Sequence, residues 1–286
     1  MTSVYYNNLS EFADNYDFFI VDLWGVLHDG QAPYPDAIDA LKFLHEKNKK
    51  VVLLSNAPRR ASKAKDVLGR LGFDESLYDH VLTSGEVTHK YMAVTKNFGE
   101  KYYYIGPEKD EDLLDGLRYK RVNEPSEADF AIVTGFDKDD SQRDEKDADI
   151  EKCIDANLPL ICANPDRVVV RQNGQRMLCA GIIADRYKEK GGKVHYFGKP
   201  YNDAYEECLE ALEAFDKTKV AAIGDSLHTD IAGANDMGIF SVLVTGGIMA
   251  NELDIKPGEM PDKETVRLTC EKEKTFPNAI LPKLVK

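Results

Sequence analysis

Short unbroken apolar runs alternate along this chain with longer stretches in which apolar residues return every three or four positions. The runs are FFIV ahead of Asp22, VVLL ahead of Ser55, Val81-Leu82, YYYI at 102–105, FAIV at 130–133, PLICA at 159–163, VAAI ahead of Gly224, and 240–244. Four or five apolar residues bounded by turn formers predict a strand buried on both faces. Between them, Ala37, Ile38, Leu41, Phe43 and Leu44 follow Pro35 at helical spacing. Ala61, Ala64, Val67, Leu68 and Leu71 follow Pro58 and stop at Gly72. Pro at the opening and Gly just past the end are the expected helix boundaries. Further helices are predicted over 203–215 and 231–237, with a short leading helix over 10–16 capped by Ser10. The segment 276–281 is expected to pack as a sheet edge, and Asn173-Gly174 after Val168–Val170 to turn a hairpin. Strand alternating with helix predicts an α/β fold, a parallel sheet with right-handed crossovers.

The stretch 86–192 has its own strands and helices and a denser charge pattern. It reads as a second α/β unit inserted into the first, leaving a Rossmann-like core of 1–85 and 193–286. The run DKDDSQRDEKDAD at 137–149 mixes both signs and reads as a solvated loop and helix start. The Tyr102 to Tyr104 row reads as strand packing.

Charge narrows the range of partners. The chain carries 37 Lys and Arg against 50 Asp and Glu, a formal net charge of −13. Such a field repels nucleic acid and anionic membrane, and neither is expected as a partner. Five scattered cysteines with no CxxC pair suit a reducing compartment. The N-terminal stretch lacks the pattern of a signal peptide, and no apolar run reaches membrane-spanning length. A cytoplasmic protein is the expectation.

Several strand ends offer chemistry. Asp22 gives a carboxylate, and Ser55 gives a hydroxyl followed by the backbone N–H groups of the next helix. Lys199 gives a point charge, and Asp225 and Asp230 flank one strand-to-helix turn. In a parallel sheet these groups meet at the edge where α/β proteins bind ligands. Carboxylates gathered there repel unless a cation joins them, and oxygen-only ligands suit Mg²⁺. A hydroxyl, a helix start and a lysine suit a phosphate dianion. A carboxylate beside such a phosphate is a candidate nucleophile.

The segments DLWGV at Asp22, LLSN at Ser55, GKP at Lys199 and GDSLHTD at Asp225 resemble the four motifs of the haloacid dehalogenase superfamily, in order. The insertion between the second and third resembles its type-two cap. The GKP signature and the ANPD loop at 163–166 resemble the class IIA branch, which contains 4-nitrophenyl-phosphatase-like and sugar-phosphate phosphatases. The resemblance spans nearly the whole chain. It implies phosphate-monoester hydrolysis of a small phosphorylated metabolite through an aspartyl-phosphate on Asp22. Ser55 and Lys199 would hold the phosphoryl oxygens. Asp22, Asp225 and the backbone carbonyl of Trp24 would hold Mg²⁺, and Asp230 would orient Lys199 or metal-bound water. Cap opening and closing would admit substrate and exclude water, and relatives with such caps often pair as homodimers.

One position departs from that pattern. The family's phosphatases mostly carry a second Asp two residues after the nucleophile as general acid and base. Here that residue is Trp24, the only Trp of the chain. Losing general acid–base help costs about 10² to 10⁴ in rate. Three readings follow: another residue such as His28 supplies the proton, the enzyme is slow, or the protein binds a phosphorylated ligand without turnover. The simpler reading of His28 is an exposed loop histidine. Asn56, Arg59, Asn164 and Asp166 are further candidates for substrate contact, and each has a plain structural reading as surface or turn.

Overall fold

The computed structural model describes residues 3–286. In chain order its strands are β1 (Val4–Tyr5), β2 (Phe18–Asp22), β3 (Lys50–Ser55), β4 (His80–Thr83), β5 (Lys101–Ile105), β6 (Lys120–Val122) and β7 (Phe130–Val133). They continue as β8 (Leu160–Cys162), β9 (Val168–Val170), β10 (Arg176–Leu178), β11 (Val194–Tyr196), β12 (Val220–Gly224), β13 (Phe240–Val244) and β14 (Ala279–Leu281). A seven-stranded sheet runs β1-β14-β13-β12-β2-β3-β4, and a five-stranded sheet runs β11-β8-β7-β5-β6. Every pairing in both is parallel. That is the consequence of apolar runs without alternation, since such strands need cover on both faces.

One face of the larger sheet buries Phe19, Val21, Val51 and Leu53 against Leu41, Leu44 and Leu68 of the helices Ala37–Glu46 and Ala61–Arg70. The other face carries Ile20, Val52 and Leu54. It joins an apolar cluster that passes through Phe197 and Tyr205 to Phe130 and Ile161 of the smaller sheet. The two sheets are therefore tied by shared packing as well as by chain crossings. Among the described residues no helix is long and apolar enough to cross a membrane.

Some elements differ from the sequence expectation. Residues 10–16 form two single turns, Leu9–Glu11 and Ala13–Asn15, and the Ser10 hydroxyl bonds Asn8 at 2.6 Å instead of capping a helix. The second helix opens at Ala61, not at Pro58, because Arg60 is still extended. Strand β14 is interior: it pairs with β13 on one side and with β1 on the other, so β1 is the edge. Strand β11 pairs with β8 of the smaller sheet, two residues beyond the expected boundary at Gly192. The hairpin β9–β10 is present, antiparallel, with Gly174 at φ +82° in its turn.

Candidate active site

Strands β12, β2 and β3 are neighbours in register, with Ile223 opposite Val21 and Asp22 opposite Leu54. Their C-terminal ends therefore deliver Asp225, Asp22 and Ser55 side by side. Lys199 enters from the crossing between the two sheets. Its Nζ pairs with Asp22 Oδ1 and lies 2.7 Å from Asp230 Oδ1, and all three side chains are buried. Asp22, Asp225 and Asp230 each present a carboxylate oxygen within 4.8 Å of the others.

Local structure holds each carboxylate in place. Asp230 sits in the wide turn Leu227–Ile231 and accepts the Ser226 N–H at 3.2 Å and the Thr229 hydroxyl at 3.4 Å. Asp225 Oδ2 accepts the Ile248 N–H at 2.6 Å. Gly25, at φ +86°, and Gly247 both press on that carboxylate; a Cβ at either would collide with it. Gly246-Gly247 in the sequence signals only a strand stop, so this cradle could not be read there.

Three buried carboxylates share one ammonium. Burial drives the Asp22 carboxyl well above the usual range; attraction to Lys199 pulls it down and repulsion from Asp230 and Asp225 pushes it up again. Burial and then Asp230 push Asp225 up to about 8. Burial alone would lower Lys199, but the Asp22 and Asp230 carboxylates hold it charged, well above its ordinary value. The surplus negative charge fits a divalent cation with oxygen ligands. The Trp24 carbonyl accepts no backbone N–H among the described residues, which leaves it available to the same ion.

Ser55 is buried, and its Oγ accepts the Ala57 N–H at 3.2 Å. Asn56 is committed to the protein: Oδ1 accepts the Lys199 N–H at 2.7 Å, and Nδ2 donates to the Lys199 carbonyl at 3.0 Å and to Asp166 Oδ1 at 2.8 Å. Its amide fixes Lys199 and a cap loop together and is not free for a ligand.

Two cavities lie between the sheets. One, of about 580 Å³, is lined by Asp22, Lys199, Asp225 and Asp230. The other, of about 390 Å³, is lined by His28, Arg59, Asp110, Asn164 and Arg171. Trp24, Ser55, Asn56 and Asp166 border both. The indole N–H of Trp24 donates to the Val170 carbonyl of the inserted hairpin at 2.8 Å. Beside it, Asp29 Oδ2 accepts the Gln172 N–H at 3.1 Å. The loop after Asp22 is thus bonded to the inserted unit across 146 residues of sequence.

His28 does not line the cavity that holds Asp22. It borders the second cavity only, and its Nδ1 accepts the Gly30 N–H at 3.0 Å. Burial lowers its pKa to about 4, outweighing the nearby Asp29, so the ring is neutral at pH 7. A neutral ring in the other cavity is a poor source for the missing proton. Arg59 lies 3.4 Å from buried Asp110 in that second cavity, while Arg60 is clamped by Glu86 at 2.7 and 3.1 Å. His228 is at the surface, 3.4 Å from Glu273. Asn164 accepts the Asp166 N–H at 3.0 Å and orders the loop.

Comparison with known proteins agrees with this geometry. A Haloacid dehalogenase-like hydrolase model matches residues 19–120, and a second HAD-hydrolase-like model matches 196–267. The chain is 25% identical over 272 residues to the 4-nitrophenylphosphatase of Schizosaccharomyces pombe, covering 85% of this chain and 88% of that one. It is 29% identical to the Sugar-phosphatase AraL of Bacillus subtilis, covering 80% and 82%. A solved structure of a haloacid dehalogenase-like hydrolase from Brucella suis superposes with a TM-score of 0.84 at 32% identity, over 98% of this chain and all of that one. With its motifs on adjacent strand ends and an α/β cap inserted between the second and third, the chain belongs to the haloacid dehalogenase-like hydrolases, in their class IIA phosphatase branch.

Proposed function

We propose that this protein hydrolyses phosphate monoesters of small metabolites, with Asp22 as the nucleophile that carries the phosphoryl group as an aspartyl-phosphate. The observation that carries the reading is the meeting of Asp22, Lys199, Ser55 and Asp225 in one cavity of about 580 Å³. A volume in that range suits a small ligand. Asp22, Asp225 and the Trp24 carbonyl would hold Mg²⁺, which would supply positive charge to the phosphoryl oxygens. Lys199 and Ser55 hold those oxygens, and Asp230 keeps Lys199 aimed at Asp22. The cap contacts at Trp24 and Asp29 close the cavity against water during transfer.

The 4-nitrophenylphosphatase and sugar-phosphatase relatives support a phosphatase and a sugar phosphate or similar metabolite as substrate. Five free, buried cysteines support a cytoplasmic setting. An indole at position 24 delivers no proton, so turnover of poor leaving groups needs an acid from elsewhere in the site. The test is release of 4-nitrophenolate from 4-nitrophenyl phosphate with Mg²⁺ by the wild type and by Asp22→Asn. The variant is expected to lose about 10⁴-fold or more. Equal turnover by both, or ligand binding with no turnover by the wild type, would overturn the reading.

A further inference from the structure

Position 24 cannot supply the leaving-group proton, since the one indole donor is already given to Val170. Another acid in the cavity with Asp22 is needed if alkyl phosphates are to be cleaved. Each of the other carboxylates there has a different employment. Asp22 is the nucleophile, Asp230 is paired with Lys199, and Asp225 takes the Ile248 N–H and belongs to the acidic cluster. Asp185 is paired with Arg167 at 2.6 Å, and Glu252 is exposed. Asp166 remains.

Resting on the phosphatase reading above, we propose that Asp166, on the cap loop after β8, is the general acid and base of this enzyme. Asp166 borders both cavities, as Trp24 and Ser55 do. Oδ1 accepts from Asn56, and Oδ2 has no protein donor among the described residues. The loop is held from several sides, as a catalytic group requires. The Asp166 N–H donates to Asn164 Oδ1 at 3.0 Å, and its carbonyl accepts the Gly181 N–H at 2.9 Å. The Ala163 carbonyl accepts the Ser84 hydroxyl at 2.5 Å, which ties the loop to the core. Gly181 leaves no room for a Cβ against the backbone of Pro165 and Asp166. Burial raises the Asp166 carboxyl above its ordinary value, against the lowering by Lys199 and Asn56.

The two half-reactions balance. An Asp22 oxygen bonds phosphorus while the ester P–O bond breaks, and the Asp166 proton passes to the departing alkoxide, leaving alcohol, aspartyl-phosphate and Asp166 carboxylate. Water then bonds phosphorus while Asp166 takes its proton, and the Asp22 acyl–phosphate P–O bond breaks to give phosphate and the starting enzyme. Because the acid rides on the cap, both proton transfers occur only in the closed state.

The experiment compares the holoenzyme with Mg²⁺ on glycerol 3-phosphate, whose leaving alkoxide needs a proton, and on 4-nitrophenyl phosphate, whose leaving group does not. Asp166→Asn should lower kcat/KM for glycerol 3-phosphate about 10²-fold or more. The loss in kcat/KM on 4-nitrophenyl phosphate should be under about tenfold, with a burst of nitrophenolate because breakdown of the aspartyl-phosphate is now slow. Asp166→Glu should recover part of the alkyl activity. An equal loss on both substrates without a burst, or no loss, overturns the assignment while leaving Asp22 chemistry intact. Should Asp166→Asn fold poorly, the wild type decides alone: kcat/KM across aryl phosphates of rising leaving-group pKa should fall shallowly, and a steep fall overturns the proposal. Absence of any Asp22-dependent turnover in the wild type overturns the phosphatase reading, and this assignment with it.

Discussion

The larger and smaller sheets obey one rule with different content. Both are wholly parallel, and both aim the C-terminal ends of their strands at the same space. At the larger sheet those ends carry Asp22, Ser55 and Asp225, joined by Lys199 and Asp230 in a desolvated ionic cluster. At the smaller sheet the residues after β5, β7 and β8 that reach the cavities set Lys109, Lys138 and Arg167 against Asp110, Asp139 and Asp166, among neutral neighbours, so their formal charges balance. Surplus negative charge is concentrated where a phosphoryl group would be held, and charges of both signs where the rest of the ester would lie. A buried cluster of this kind is costly to build and strongly position-dependent.

The largest expected effect that tests this contrast is at Lys199. Lys199→Met leaves buried Asp22 and Asp230 without their cation, at a cost of about 3 to 5 kcal/mol in urea unfolding at pH 8. The Asp22 carboxyl then sits higher still, so its penalty grows as pH rises, and the variant should regain stability toward pH 5. A loss as small at pH 8 as at pH 5 would mean that the cluster is not desolvated.

His28 gives a second, opposite pH signature. Its folded pKa of about 4 lies below the ordinary 6.5. The stabilising contribution is thus complete above 6.5 and is lost as pH falls from 6.5 through 4. The shift corresponds to about 3 kcal/mol. His28→Gln should remove that part of the pH dependence, seen as a flatter difference curve of unfolding midpoints. If the wild-type and variant curves run parallel, His28 is solvated and free to titrate near 6.5.

The smallest effect is at the seam. Trp24→Phe keeps an aromatic ring but removes the bond to Val170, worth about 1 kcal/mol. Hydrogen exchange across the hairpin β9–β10 should quicken, while β8, inside its sheet, should not change. Uniform exchange in both would mean that Trp24 packs without latching the cap.

How far the sequence revealed this architecture depends on the range of the signal. The core strands were legible because each is an apolar run cut off by Asp22, Ser55 or Gly224-Asp225, and the helix ends because Gly72 and Gly238 sit just past them. Strand β11 was not, because Val194–Tyr196 is three residues long and half polar, and only its pairing with β8 assigns it to the cap sheet. The interior position of β14 likewise depends on β1, two residues from the other end of the chain. At the site, Asp22, Ser55, Lys199, Asp225 and Asp230 were legible as strand-end and turn chemistry. The Trp24–Val170 bond, the committed amide of Asn56 and the separate cavity of His28 were not, since each depends on partners or cavity walls brought near only by folding.

The central claim is a phosphoryl group carried on Asp22, and chemical trapping reads it directly. The enzyme is mixed with 4-nitrophenyl phosphate and Mg²⁺, quenched within one turnover, reduced with borohydride and digested for mass spectrometry. The account predicts homoserine at residue 22, absent without substrate and absent in Asp22→Asn. Phosphate release with residue 22 recovered only as aspartate, or reduction at another carboxylate, would contradict it.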